Sequence, residues 1–438
     1  MKSYSFLLGL LCLAVIIPNL AKAQFNLDGQ MLIRSEFRNG YLEVKPENTD
    51  PAGFIAHRAR LQASYKSDDL NFFMSIQDVR TWGSSSQANL SDNFLSVHEA
   101  WGEFSIGEYW KVKLGRQELT YDNARFLGNL DWALQARSHD FALMKYEKDD
   151  RKLHLGGGFN QNEQKLTHNF LSTPNQYRTA QFLHYENKLG GFEYSFLFWN
   201  EGRQNGKLDS TGNPIDNEVY FRPTLGLPAL KASMGKTDVS SYFYYQFGED
   251  ITGTNVSAFN ASAQVSQTFF ENEDGRKWRA TFGYEVISGT DGNVTGSNRS
   301  YSLQYGTNHI FNGYLDWFFV ANRWENSTGL HDIYLRSRYT FSPKFWMQAD
   351  GHWFSSYAQP LNQADQLVTD QTIGTELDLN AGLIVNDAVS IQAGYSQLFA
   401  SSAFNDLHSF KLDGMQNWAY LMVVFRPTSK AKFIGVLQ

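Results

Sequence analysis

The sequence predicts an all-β protein: a single transmembrane antiparallel β-barrel of about 18 strands, with short turns at one end and long loops at the other. Three observations predict it. Segments of ten or more residues alternate apolar with polar, the pattern of a strand with two unlike faces. The connections between them alternate strictly between short and long. After the leader, no run approaches the ~18 apolar residues of a membrane helix, whereas alternating barrel strands escape hydropathy averages.

The leader comes first. Lys2 supplies a positive start, Phe6 to Ile17 an apolar core, and Ala21-Lys22-Ala23 a small-x-small cleavage site, so processing is expected before Gln24. A single membrane anchor is the alternative, but the apolar run is short for a span of ~20 residues. The division expected is 1–23 signal peptide, 24–428 barrel and 429–438 a C-terminal tail of unknown role. The only cysteine, Cys12, lies in the leader, so the mature chain has no disulfide framework, thiolate metal site or Cys nucleophile. Loss of Lys2 and Lys22 takes the formal net charge from −7 to −9, which argues against nucleic acid as a partner.

The strands follow in order. In Phe25–Arg38, Phe25, Leu27, Met31, Ile33 and Phe37 oppose Asn26, Asp28, Gln30, Arg34, Glu36 and Arg38. In Phe54–Lys66, Ile55, Ala59, Leu61, Ala63 and Tyr65 oppose Arg58, Arg60, Gln62, Ser64 and Lys66. Lys111–Gln117 sets Val112 and Leu114 against Lys111 and Lys113. A bulge at Gly115 would swing Arg116 onto the lysine side; without one Arg116 faces outward. Phe192–Asn200, Val239–Phe247, Val256–Phe270, Lys277–Ser288, Leu330–Phe341, Gly374–Leu383 and Val389–Ala400 alternate likewise, and Trp418–Phe425 closes the series on an aromatic. Short connections fall at 67–69, 106–109, 147–151, 187–191, 234–238, 271–276, 342–344 and 385–388. Long ones fall around 39–53, 82–94, 119–136, 161–176, 201–217, 248–255, 289–329, 356–372 and 401–415. Eight short and nine long connections put both chain ends on the short-turn side, the outer-membrane arrangement. Within 289–329, the run 313–323 is also strand-like. An interior this wide is expected to be a water-filled lumen.

Certain motifs carry a resemblance. Gln77-Asp78-Val79-Arg80 with Trp82-Gly83, Leu114-Gly115-Arg116-Gln117, Arg125-Phe126-Leu127-Gly128 before Asp131-Trp132, Tyr305-Gly306-Thr307-Asn308-His309 and Phe311-Asn312-Gly313-Tyr314-Leu315-Asp316 resemble the alginate export family of outer-membrane β-barrels. The resemblance runs in order along essentially the whole mature chain. It implies an 18-stranded monomeric barrel whose Arg/Lys-lined constriction passes an anionic polysaccharide. It also implies that Arg80, Arg116 and Arg125 belong to that constriction.

Alternation alone places Arg34, Arg38, Arg58, Arg60, Lys111, Lys113, Arg279, Arg336 and Arg338 on lumen faces, with Glu36, Glu99, Glu103, Glu285, Asp332, Asp350, Glu376 and Asp378. Guanidiniums around a pore select carboxylates. Equally, such charges can pair across neighbouring strands and only hold the wall together. The cluster Arg58, Arg60, Lys111, Lys113 and Arg116 favours selectivity, with Glu99 and Glu103 neutralising part of it. The pore-lining candidates are therefore Arg58, Arg60, Arg80, Lys111, Lys113, Arg116, Arg125, Arg336, Arg338 and Glu99. Surplus acids are expected in turns such as Asp68-Asp69, Asp149-Asp150 and 271–274.

Catalytic signals are weak. His98-Glu99 lacks the second His of a zinc peptidase, and no Gly-x-Ser-x-Gly elbow occurs. Gly202–Lys207 is one residue short of a phosphate loop. His139-Asp140 and His352 with Asp350 read as hydrogen-bonded lumen or rim residues. Asp291, Asp406 and Asp413 are acids of a kind that loops use for calcium, without its motif spacing. The tryptophans 82, 101, 110, 132, 199, 317, 324, 346 and 418 suit interfacial girdles, with Trp101 a candidate inward stacking platform. The expectation is a passive channel, not an enzyme, without cofactor, in the outer membrane of a Gram-negative bacterium. It would pass an anionic saccharide or small anionic solute; no periplasmic partner can be named. A surface barrel that binds ligands with its loops, or a secreted soluble carbohydrate-binding protein, are the alternatives. No plug domain precedes Phe25, which points away from energy-coupled uptake.

Overall fold

The computed structural model describes residues 24–436, apart from 89–90, 92, 165, 168, 174, 206–217, 318–326, 409 and 430. The leader, Gly206-Lys207 and Trp324 lie outside the described residues. Eighteen strands form one sheet. They are β1 Gln24–Asn39, β2 Ala52–Lys66, β3 Leu70–Thr81, β4 Leu95–Ser105, β5 Trp110–Gln117, β6 His139–Lys148, β7 Arg151–Phe159, β8 Thr179–Leu189 and β9 Phe192–Gln204. The second half comprises β10 Val219–Met234, β11 Thr237–Glu249, β12 Asn255–Glu271, β13 Lys277–Ile287, β14 Leu330–Ser342, β15 Phe345–Ser355, β16 Thr372–Ile384, β17 Val389–Ala400 and β18 Gln416–Phe425.

Each strand pairs antiparallel with its sequence neighbours. β1 then pairs with β18 from Met31↔Phe425 to Asn39↔Asn417, which closes the cylinder. Closure leaves no open edge, as lipid requires when it supplies no hydrogen-bonding partner. All eight short turns join strands at one end. The long loops, L1 to L9 in order, gather at the other; L6 is the shortest, a turn at 250–254. In L7, residues 313–317 form no strand, and 318–326 lie outside the described residues.

The outer face is apolar. Phe25, Leu27, Leu61, Phe72, Leu114, Val265, Phe282, Leu335 and Leu421 are exposed there. In water this would be a large aggregation-prone surface; in a bilayer it is the lipid contact. A soluble secreted fold is thereby ruled out.

The interior departs from a simple water-filled lumen. L3 (118–138) and residues 288–317 of L7 fold inward and meet, joined by a parallel bridge between Leu127 and Tyr305. Gly128 N–H donates to the Tyr305 carbonyl at 2.9 Å, and Thr307 N–H to the Ala124 carbonyl at 2.8 Å. A side chain at residue 128 would run into Thr307, so glycine permits this approach. Phe126 and Leu127 pack with inward-facing Phe141, Phe182, Trp199 and Tyr244 of β6, β8, β9 and β11. Trp132 and Leu134 pack with Trp418, Tyr420 and Met422 of β18. Much of the barrel interior is therefore a packed core. Phe141 and Leu143 of β6, Phe182 of β8 and Leu197 and Trp199 of β9 make an apolar patch on the inner wall where it covers these loops. Trp132, Trp199, Trp346 and Trp418 belong to this interior and not to a girdle.

Phe282 is the central residue of β13 and faces lipid. Phe282→Arg is expected to destabilise the barrel by about 2–4 kcal/mol, while a like change on the lumen face costs far less. Reversible urea unfolding in liposomes measures it.

Candidate functional site

Three arginines converge on one carboxylate where L3 meets the wall. β2 carries Arg58 and Arg60 inward by strict alternation, and Arg426 follows directly on β18. Asp131 of L3 accepts Arg58 at 2.8 Å, Arg60 at 3.4 Å and Arg426 at 2.9 Å. Arg58 is fully buried and also donates to the Leu134 carbonyl and to Gln30. Arg60 Nε donates to Gln77, whose amide holds the Gln135 carbonyl. Burial alone would raise the Asp131 pKa. Arg58, Arg426 and Arg60 outweigh it and hold the carboxyl well below the usual range. The nest opens on a polar cavity of about 260 Å³ lined by Arg60, Glu99, Glu118 and Arg426.

Next to it, Arg34 donates to the Trp132 carbonyl and lies 4.3 Å over the Trp132 ring. The other side of Trp132 stacks on His309 of L7 at 3.9 Å. His309 meets Asp316 at 2.7 Å, and Tyr41 donates to the same carboxylate. A second anchor lies across the lumen. Arg125, buried, donates to Glu285 at 2.7 Å, Asn308 at 3.1 Å and Asn312 at 2.6 Å. Burial disfavours its charge, but Glu285 more than compensates and raises its pKa. Glu285 and Asp332 are direct register partners, and the Asn312 amide bridges them. Glu376 accepts the Leu315 N–H at 2.8 Å. The wall acids thus pin the infolded loops.

The candidate residues divide by register. Arg58, Arg60, Glu99, Lys111, Lys113, Arg336 and Arg338 face the interior, and Arg125 reaches it from L3. Lys113 sits 3.8 Å from the Trp101 ring centre, and Arg338 3.8 Å from that of Trp346. Lys111 pairs with Glu147, and Arg336 with Asp350. Arg80 and Arg116 are corrected: neither lines the lumen. Arg80 is paired in register with His57 on the outer face and bonds Asp78. The β4–β5 register runs unbroken through Gly115, so no bulge exists there. Arg116 therefore turns outward and meets Asp140 at 3.0 Å. A bulge does occur one strand earlier. The β3–β4 register shifts between Ser75 and Ile76, which turns both His98 and Glu99 inward.

His98, Glu99 and Glu118 form a compact group. Its atoms are already joined: Glu118 accepts His98 and Asn129, and its N–H donates to Glu99. The group ties the root of L3 to β4. Sequence reasoning missed Arg426, Lys145 and the role of Asp131. Lys145, which bonds Glu103 and Glu147, follows the apolar Phe141 and Leu143 on the inner face of β6, so alternation did not reveal it. Arg426 lies past the last strand, where alternation gives no direction.

The closed barrel, its apolar belt and its infolded loops define an outer-membrane barrel of the porin-like class. Its place is the outer membrane of a Gram-negative bacterium. Residues 24–188 match the family model described as alginate export. The late run Tyr305–Asp316 lies beyond the matched residues. No curated protein matches the chain. Among solved structures, OccAB4 of Acinetobacter baumannii is similar with TM-score 0.58 and 11% identity, over 93% of this chain and 99% of that one. OccK3 (OpdO) of Pseudomonas aeruginosa is similar with TM-score 0.56 and 11% identity, over 91% and 95%. At this identity the likeness shows the fold.

Asp131→Asn leaves the buried guanidiniums facing a neutral partner. Opening of L3, followed by hydrogen exchange, is expected to become easier by about 3 kcal/mol. Because the Asp131 pKa is depressed, its contribution is complete above the ordinary Asp value and is lost as pH falls through the folded-state value. L3 protection in the native protein should therefore be undiminished at about pH 5 and decline only below about pH 4.

Proposed function

We propose that the protein is a passive, monomeric outer-membrane channel for an anionic saccharide or a related anionic solute. The observation that carries this reading is the nest of Arg58, Arg60 and Arg426 around the single carboxylate of Asp131, beside a polar cavity. Three guanidiniums share the single carboxylate of Asp131, and the acids Asp28, Glu99 and Glu118 line the same cavity. A solute carboxylate can bind there in the way Asp131 does. Lys113 over Trp101 pairs a cation with an inward aromatic face, which suits a sugar ring bearing a negative charge. The alginate export match over residues 24–188 supports the same substrate class.

A second reading is a non-transporting surface barrel whose long loops bind a ligand. The two packed clusters inside the barrel favour it.

Single-channel recording in planar bilayers separates the two. Full-length protein is expected to conduct with anion preference. Arg58→Gln and Arg60→Gln should each reduce that preference roughly twofold at low salt, with less effect at high salt. Arg80→Gln and Arg116→Gln, on the outer face, should leave it unchanged. Selectivity indifferent to Arg58 and Arg60 would sink the residue assignment, and absence of conductance the channel itself.

A further inference from the structure

We propose that the described residues after Arg426, 427–429 and 431–436, form a plug that closes the lumen from the short-turn mouth and must withdraw for passage. The proposal rests on the channel reading above. After Phe425 the chain turns back inside the barrel. Arg426, at the root of this segment, holds Asp131 with one arm and the Ala431 carbonyl with the other. Ser390 of β17 donates to the Lys432 carbonyl, and Lys432 Nζ caps the carbonyls of Asp387 and Arg426. Higher on β17, the Gln392 amide brackets Ile434. It donates to the Ile434 carbonyl at 2.9 Å and accepts its N–H at 3.2 Å. Phe433 meets Trp346 of β15 edge to face at 5.3 Å. Ile434, 3% exposed, joins Trp132 and Leu134 of L3 in their buried cluster.

The segment thus climbs from the mouth along β17 to the inner face of L3. Its sequence is divided accordingly. Lys432 stands at the start, and the apolar run Phe433-Ile434-Gly435-Val436 is the part inserted.

The mode of attachment suits a part that moves. Among the described residues, 427–429 and 431–436 make no backbone–backbone hydrogen bond to the barrel. Side-chain bonds and apolar contacts hold them, so withdrawal breaks no ladder. Arg426 also links the plug to the solute. A carboxylate entering the nest competes with Asp131 for Arg426, and solute that prefers the withdrawn state shifts the population toward it. The sequence places the barrel's last aromatic at Phe425 and gives these further residues no strand pattern; the structure assigns them the mouth.

Two variants test the proposal in planar bilayers, each first checked for a folded barrel by heat-modifiable migration. One ends after Thr428. The other is Gly435→Val: Gly435 has φ +69° and a side chain there would run into the Trp132 ring, so the full-length segment is expelled. Both are expected to raise mean current roughly twofold or more over the full-length protein, by removing the closed population. A synthetic peptide of sequence SKAKFIGVLQ, added from the short-turn side, should lower the current of the truncated form. Equal, measurable currents in full-length and variant proteins would overturn the plug and leave the channel reading standing. No current in any of them overturns both. Should truncation prevent folding, Gly435→Val decides.

Discussion

The pairing of β1 with β18 is the constraint on which the remaining structure depends. Until that ladder forms, two strands present unpaired N–H and C=O groups that hydrocarbon cannot satisfy. Once formed, it fixes eighteen strands around a wide interior. The outer side is then settled by apolar residues at every second position. The inner side is not, because wall side chains alone do not fill a cylinder of this girth. L3, L7 and the segment after β18 fill much of it, and their anchors create the candidate site.

Those anchors are mostly ionic, which follows from where they lie. A loop brought into a barrel carries backbone groups that need partners, and a polar wall offers them. Glu285 receives Arg125, Asn312, Tyr242 and Asn260; Glu376 receives Leu315 N–H; Asp131 is shared among three arginines. Burying such charges is costly, and pairing is what makes it tolerable. Most inward bases therefore serve the wall or the loops. The nest around Asp131 differs in that three guanidiniums share one carboxylate.

The sequence motifs acquire a physical sense in the same place. Arg125–Gly128 and Asp131-Trp132 belong to L3, and Tyr305–His309 and Phe311–Asp316 to L7. They are distant along the chain and meet inside the barrel. Arg125 reaches Asn308 and Asn312, Trp132 stacks on His309, and Gly128 lets the two backbones touch. Gln77 holds the L3 backbone from β3. The residues that mark the resemblance are largely those that fold the loops inward.

Strand number, strand ends, turn order and the apolar outer face were legible in the sequence, because alternation and turn length are local properties of the chain. Local pattern also sufficed for the inward direction of Arg58, Arg60, Lys111 and Lys113. It failed for Arg116, whose direction depended on whether Gly115 breaks register, and for Arg80, whose motif context suggested the lumen. It failed again on β6, β8 and β9, where an apolar patch of the inner wall covers loops from elsewhere in the chain. The sequence by itself thus determined the barrel and its membrane. Only the tertiary structure decided what fills it, because loop infolding, the sharing of Asp131 and the return of the chain after Arg426 depend on contacts between segments remote in sequence.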